Sequence, residues 1–155
     1  MRPECVILVG LPGAGKTTFY RKRLPQDYEH ISKDLLSHAR QRQARQDALL
    51  RAALSAGRSV IIDNTNVTRE ERAAIIAVAR AYHARIVCHY IEATTREAVA
   101  RNERREGRAK VPKVAIFAFA KRLTAPATAE GFDELFRWRV SDDGDFEELE
   151  RLPPA

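Results

Sequence analysis

The chain has 155 residues, a length that suits one domain over residues 1–155, and 45% of these residues are hydrophobic while 31% are charged. This composition excludes a disordered chain, and no apolar run approaches the roughly 20 residues needed to cross a bilayer. The net charge of +6 favours a polyanionic partner such as nucleic acid. A general arginine and alanine bias of the genome is the alternative interpretation.

The two cysteines, Cys5 and Cys88, have no CxxC partner or histidine spacing around them, which predicts neither a metal site nor a disulfide framework. A reducing cytoplasm is therefore the expected location. The apolar run from Val6 to Leu11 leads into glycines instead of a small-residue cleavage site, and this indicates a first strand.

Short apolar runs alternate with segments of helical period, a pattern typical of βαβ units. We predict an α/β fold with about five parallel strands flanked by helices. The predicted strands lie near residues 4–9, 28–31, 59–63, 85–92 and 135–140. Two of the helices begin at capping boxes, Thr68 with Glu71 and Thr94 with Glu97.

The segment from about residue 95 to 122 has helical character, but the polar stretch from Glu106 to Pro112 interrupts it. This interruption predicts a helical lid. The acidic tail from Ser141 is expected to form a short terminal helix or to stay loose.

Residues Gly10 to Thr17 fit the phosphate-binding motif G-x-x-x-x-G-K-[ST], after a predicted strand and before a helix. Glycines let backbone N–H groups approach phosphates closely, Lys16 reaches the β- and γ-phosphates, and Thr17 offers its hydroxyl to Mg²⁺. The motif therefore predicts ATP and Mg²⁺ as cofactors. The predicted cofactor-binding residues of this loop are Gly13, Ala14, Gly15, Lys16, Thr17 and Thr18.

Two carboxylates follow predicted strands on the acceptor side of such a site. Asp34 either accepts a hydroxyl proton or caps the helix that follows it. Asp63 either holds Mg²⁺ or belongs to an Asx-rich turn with Asn64, Thr65 and Asn66.

A third cluster, Arg101-Asn-Glu-Arg-Arg105, lies on the helix that leads into the predicted lid. Phosphoryl transfer spreads charge over three oxygens, so arginines delivered by lid closure are suitable stabilisers. Arg101 would share a helix face with Arg104 and Arg105. A solvated basic face is the alternative.

Together these motifs resemble the P-loop kinase domain of 5′-hydroxyl polynucleotide kinases, a group that includes the phage enzyme and the kinase half of polynucleotide kinase-phosphatases. The matching segments are Gly10–Thr17, Ser32–Asp34, Ser59–Asn66, Arg101–Arg105, Val111–Pro112 and Ala125–Phe132.

The resemblance implies that Asp34 is the general base, that Lys16 and Thr17 serve ATP and Mg²⁺, and that Arg105 with Arg101 clamps the phosphates. It places Asp63 in the cleft without a settled role. Ser37 stands where the phage pattern has an arginine for an acceptor-strand phosphate, and this departure weakens polynucleotide specificity. Such kinases often carry a further domain, and the resemblance leaves two alternatives for this chain: it works alone or with a separate end-processing protein.

Three functions remain open at this point. The leading hypothesis is ATP-dependent phosphorylation of the 5′-hydroxyl of DNA or RNA. The second keeps the chemistry but changes the acceptor to a small molecule such as a nucleoside, sugar or antibiotic. The third is an ATP-binding module that phosphorylates nothing.

Overall fold

The computed structural model of the protein describes residues 2–36, 41–107 and 110–155. The six strands are β1 Glu4–Val9, β2 Glu29–Ile31, β3 Val60–Asp63, β4 Arg85–Glu92, β5 Glu134–Val140 and β6 Phe146–Leu152. The α-helices are α1 Lys16–Arg23, α2 Arg42–Ser55, α3 Arg69–Ala81, α4 Thr95–Glu103 and α5 Lys113–Arg122, and Lys33–Leu36 forms a 3-10 helix.

The strands form one sheet in the order β2-β3-β1-β4-β5-β6. The first five strands in this order are parallel to one another, which confirms the predicted parallel sheet. In this order β1 lies at the centre, between β3 and β4. Because parallel strands end at the same edge, the segments that follow β1, β2 and β3 meet there.

The central strands are buried on both faces, as their continuous apolar sequences predict. All four residues of β3 and the last five of β1 are buried. One core cluster includes Ile7, Ile62 and Ile75, and a second, separate cluster includes Leu8, Ile61 and Phe19. Alternate residues of β1 and β3 therefore contribute to the two clusters, so the sheet has a packed layer on each side.

The prediction for the acidic tail was wrong, because residues 146–152 form β6, antiparallel to β5. Ser141–Asp145 make the turn between the two strands, and Gly144 has a φ of 83° there. Cross-strand ion pairs use the tail's acidic side chains, with Arg137 bound to Glu150 at 3.2 Å and Arg139 near Glu147 at 3.8 Å. The charges that suggested a loose segment are matched by arginines on the neighbouring strand.

The interruption predicted between residues 106 and 112 is present, since α4 ends at Glu103 and α5 begins after Pro112. Thr94 and Glu97 form the predicted capping box, and Thr68 caps α3 by accepting from the N–H of Glu71. Among the described residues, none of the helices has the length and apolar character needed to span a membrane.

Candidate active site

The loop between β1 and α1 has the backbone shape that the phosphate-binding motif requires. Gly13 and Gly15 have φ values of 87° and 110°, in the left-handed region that favours glycine. The approach to α4 is also close, because a Cβ on Gly13 would collide with the carbonyl oxygen of Ala98. Glycine is therefore needed here both for the turn and for the contact with α4.

Lys16 points into this loop. Its Nζ atom donates to the carbonyl oxygens of Gly10 and Leu11, at 2.9 Å in each case. The side chain is only 9% exposed, and this burial lowers the pKa of Lys16 to about 8. Asp63 and Asp34 oppose the shift, while the charge of Arg105 adds to it. The carboxylates and the arginine named by the sequence are thus near enough to act electrostatically on the lysine.

Thr17 and Asp63 form the other side of the loop's opening. The Thr17 hydroxyl donates to Oδ2 of Asp63 over 3.4 Å, and the Asp63 carboxyl is buried at the end of β3. This is an all-oxygen pair of the kind that Mg²⁺ prefers. The described residues include no group of three or more His, Cys, Asp and Glu side chains able to hold a metal, so a bound ion would need phosphate oxygens and water as further ligands.

Sequence analysis missed His30, which contacts the same carboxylate. The Nε2–H of His30 donates to Oδ2 of Asp63 at 2.8 Å, and its ring stacks on Tyr20 with centroids 4.2 Å apart. The bond to Asp63 depends on the pairing of β2 with β3, and the stacking on Tyr20 depends on the packing of α1 against β2. No spacing in the sequence encodes that pairing, although a histidine near the end of a strand beside Asp63 was a usable signal.

Asp34 lies on the 3-10 helix that follows β2, and its side chain is exposed. It does not begin a long helix, because α2 starts only at Arg42. The N–H of Asp34 bonds to Ser32 Oγ at 3.3 Å, while the N–H of Lys33 bonds to Oδ1 of Asn64 at 2.8 Å. These two bonds fix the turn that presents Asp34. Ser37, which departs from the family pattern, lies outside the described residues.

The two asparagines after Asp63 are engaged within the protein. Asn64 bonds to the backbone of Lys33 and to Gln46, and the buried Asn66 donates to the carbonyl of Leu8 at 2.7 Å. The carbonyl of Thr65 accepts from the N–H of Gly10. The side chains of Asn64 and Asn66 therefore tie the segment after β3 to β1 and to the turn after β2.

The arginine segment borders the loop, with a different geometry from the predicted one. Arg101 donates to the carbonyl of Ala14 at 3.2 Å and lies within 3.5 Å of that of Gly13. Because α4 ends at Glu103 and Arg104 is its cap, Arg105 lies beyond the helix and shares no helical face with Arg101. Asn102, which the sequence did not single out, is buried and bonds both the N–H and the carbonyl of Val111.

A buried ion pair contacts the end of the Asp63–Asn66 loop. Arg72 bonds both carboxylate oxygens of Glu130, at 2.8 and 3.0 Å, and the two side chains are almost fully buried. Its remaining donor group contacts the carbonyls of Asn66 and Val67. This pair holds the end of the Asp63–Asn66 loop against the segment before β5.

The fold and the loop define a P-loop nucleotide-binding protein of the α/β class. A family model described as an AAA domain matches residues 5–126. The chain belongs to this AAA domain family.

The resemblance to polynucleotide kinases is also confirmed. The chain is 31% identical over 136 residues to a bifunctional polynucleotide phosphatase/kinase of Schizosaccharomyces pombe, a match that covers 83% of this chain. The matched part of this chain covers 32% of the length of that curated relative.

Solved structures show the same fold at low identity. A structure of the AvrRxo1-ORF1:-ORF2 complex matches with a TM-score of 0.75 at 13% identity, over 98% of this chain and 59% of the other. A fungal RNA kinase matches with a TM-score of 0.69 at 17% identity, over 91% of this chain and 78% of the other.

Proposed function

We propose that the protein is an ATP-dependent kinase that transfers the γ-phosphate to the 5′-hydroxyl of a polynucleotide. One observation carries the proposal: the loop after β1 encloses Lys16, Thr17 of the same loop bonds Asp63 at the end of β3, and Asp34 follows β2, the strand next to β3. A phosphate donor site and a carboxylate able to serve an acceptor are thereby brought to one edge of the sheet. The kinase relative in Schizosaccharomyces pombe supports the same function.

The donor half would bind ATP through the loop. The backbone N–H groups of Gly13, Ala14 and Gly15 and the start of α1 provide partial positive charge for phosphate oxygens. Lys16 adds a full charge from inside the loop. Thr18 is exposed in the first turn of α1 and is proposed as a further contact.

Thr17 and Asp63 are the residues that would hold Mg²⁺. Their oxygens lie 3.4 Å apart beside the loop, and hard oxygen ligands of this kind fit the ion. When bound, Mg²⁺ neutralises charge on the phosphates. His30 fixes the Asp63 carboxylate through its 2.8 Å bond to Oδ2, the same oxygen that the Thr17 hydroxyl contacts.

In the chemical step, Asp34 accepts the proton of the acceptor hydroxyl as the hydroxyl oxygen forms a bond to the γ-phosphorus. The bond from that phosphorus to the bridging oxygen breaks, and ADP leaves with the electron pair. Arg105 stabilises the charge that spreads over the transferred group. Arg101 supports this arrangement by holding the loop through its carbonyl groups.

The net charge of +6 supports a nucleic acid acceptor, because a basic protein attracts a polyanion.

Four further points stay predictions: a single domain, a lid over residues 95–122, a cytoplasmic location and a separate end-processing partner. Both cysteines are free and buried in the described structure.

The direct test is to incubate the protein with γ-labelled ATP, Mg²⁺ and 5′-hydroxyl DNA and RNA oligonucleotides, and to follow label on the oligonucleotide by gel electrophoresis. We expect label transfer that requires a free 5′-hydroxyl, with a matched 5′-phosphorylated oligonucleotide as the control. A protein that binds ATP but labels neither nucleic acid would refute the proposal.

The competing functions give different outcomes. The affinity for an oligonucleotide acceptor should fall steeply as the salt concentration rises, because binding releases counterions from the strand. A small-molecule acceptor would give a flat response to salt. An ATP-binding module without kinase activity would hydrolyse ATP slowly whether or not an oligonucleotide is present.

A further inference from the structure

The outer face of α5 combines exposed apolar side chains with lysines. Val114 is 74% exposed and Phe117 is 47% exposed, although the same helix buries Ile116 in the core. Lys113 is adjacent to Val114, and Lys121 lies one helical turn beyond Phe117. Residues 114, 117 and 121 share one side of the helix at spacings of three and four. We call these four residues the α5 outer face.

The charge on this face is unmatched within the part of the chain that the structure describes. Helix α5 contains no acidic residue, and neither Lys113 nor Lys121 makes an ion pair with a described side chain. By contrast, Arg137 on β5 is bound to two glutamates. The segment 95–122 carries nine Lys and Arg residues and three acidic ones, so its net charge equals the +6 of the whole chain.

Both ends of α5 are attached to segments that build the candidate active site. Before the helix, Val111 is bound through its backbone to Asn102 of α4, the helix from which Arg101 contacts the loop. After the helix, the N–H of Thr124 donates to the carbonyl of Val67, just beyond the Asp63–Asn66 loop. Helix α5, which carries the α5 outer face, is therefore fixed at both ends to segments of the candidate active site.

We propose that the α5 outer face binds the acceptor strand downstream of its 5′-end, with a base stacked on Phe117 and backbone phosphates at Lys113 and Lys121. This inference rests on the proposed function and adds the part of the substrate that lies beyond the reacting nucleotide. Aromatic rings between cations are the arrangement that single-stranded nucleic acid binds, because every base offers a face for stacking.

Other occupants fit this face less well. A stable protein interface buries about 800 Å² on each partner, which is more than one side of a ten-residue helix offers. An amphipathic basic helix can bind anionic lipid, but its apolar side then inserts into the membrane. Here the more apolar side, with Ile116, Phe119 and Leu123, is packed in the core.

The test compares a short and a long acceptor. We would measure KM and kcat for a 5′-hydroxyl dinucleotide and for a 5′-hydroxyl oligonucleotide of about 15 nucleotides. Phe117→Ala should raise KM for the oligonucleotide about tenfold and leave the dinucleotide constants and both kcat values unchanged. Phe117→Trp should keep the wild-type KM, because it retains a ring for stacking.

The lysines have a separate readout. Lys121→Gln should lower the slope of log affinity against log salt by about one, as expected for the loss of one phosphate contact. Leu149→Ala is the matched control for Phe117, since Leu149 is 41% exposed on the acidic strand β6. Lys22→Gln, on the exposed side of α1, is the control for Lys121.

The outcomes separate this inference from the proposed function. If oligonucleotides are phosphorylated but their KM does not respond to Phe117→Ala or Lys121→Gln, the α5 outer face is not a strand site and the kinase function stands. If no 5′-hydroxyl acceptor is phosphorylated, the function fails. In that case, we would measure the binding of a fluorescent oligonucleotide to the wild type and to Phe117→Ala. Weaker binding by the variant would still support the α5 outer face as a strand site, whereas binding only to anionic vesicles would overturn it.

Discussion

The donor and acceptor halves of the candidate site are built in different ways. The phosphate loop is formed by buried backbone, with Gly10, Leu11, Pro12 and Gly13 all buried and Lys16 bonded inside the loop. Asp34 is exposed on a four-residue 3-10 helix that two hydrogen bonds fix. The first half is enclosed by buried contacts, and the second is a side chain on a short surface turn.

This difference explains why the motif identifies the donor and not the acceptor. Every nucleoside triphosphate presents the same phosphate groups, so a loop of fixed backbone geometry can bind them and leaves a readable sequence pattern. Acceptors vary, and exposed turns on a rigid scaffold can vary with them. Changes to the donor half, to the acceptor half, to the contact between them and to the packing behind the donor half should therefore have distinguishable effects.

The largest effect is expected on the donor side. Lys16→Ala removes the buried charge from the loop and should lower kcat/KM about a thousandfold, with weaker ATP binding, because a preorganised charge is lost. Steady-state kinetics and an ATP titration measure both changes. Lys22→Ala, an exposed lysine of the same helix, is the control and should retain wild-type rates. A Lys16→Ala protein that keeps near-normal turnover would contradict the donor assignment.

On the acceptor side, Asp34→Asn should lower kcat about a hundredfold or more while the KM for ATP stays the same. The carboxylate acts on the proton of the attacking hydroxyl and does not serve ATP binding. The matched control is Asp27→Asn, an exposed aspartate on the other side of β2. If Asp34→Asn weakens ATP binding as much as it slows transfer, the two halves are not separable as described.

A third change probes the contact between the halves. His30→Ala removes the bond that orients the Asp63 carboxylate, and the Mg²⁺ concentration for half-maximal rate should rise at least about tenfold. His30→Gln keeps an N–H donor and should restore most of the loss. Mn²⁺ binding in the presence of a non-hydrolysable ATP analogue gives a readout independent of turnover. An unchanged metal dependence with a lowered melting temperature would show a purely structural role.

The smallest effect concerns the packing behind the donor half. His89 accepts from the Trp138 indole N–H and packs against Phe19 of α1, and burial lowers its pKa from the usual 6.5 to about 3. The unfolded chain takes up a proton below pH 6.5 while the folded protein does not. The free energy of unfolding should therefore fall by up to about 1.4 kcal/mol per pH unit as the pH drops from 6.5 towards 3.

Urea denaturation at several pH values measures this dependence on His89. The variant His89→Phe should lose that part of the slope, whatever its stability at neutral pH. His83→Asn, at an exposed histidine, should keep it. Equal slopes in His89→Phe and the wild type would mean that His89 is protonated in the folded protein.

The sequence predicted the elements whose signals are local. Strand β3 is a short β-branched run and Thr94 is a capping residue, and both signals depend on a few neighbouring residues. Strand β6 was missed because its glutamates are explained only by arginines across the hairpin. The Ser141–Asp145 turn with Gly144, between two segments of mixed polarity, was an available hairpin signal.

In the site, the loop lies between a strand and a helix as the motif predicts, since its glycines at positive φ are a local requirement. His30 and Arg72 were not foreseen, since their carboxylate partners, Asp63 and Glu130, are far from them in the sequence. The position of Arg105 outside α4 also escaped prediction. The end of a helix depends on tertiary contacts as well as on local sequence. Here Asn102, near the end of α4, bonds Val111, and the helix ends at Glu103 with Arg104 as its C-cap.

The two hydrogen bonds between Asn102 and Val111 connect α4 to the segment before α5 within the predicted lid. Helix α4 is also in close contact with the phosphate loop, through Ala98 and Gly13. The residue Thr124, just after α5, bonds the carbonyl of Val67. Neither helix can swing without breaking buried contacts. Closure of the predicted lid by rotation of α4 or α5 would therefore cost these contacts, and we expect Arg105, which lies just beyond α4, to be positioned by the fixed end of that helix.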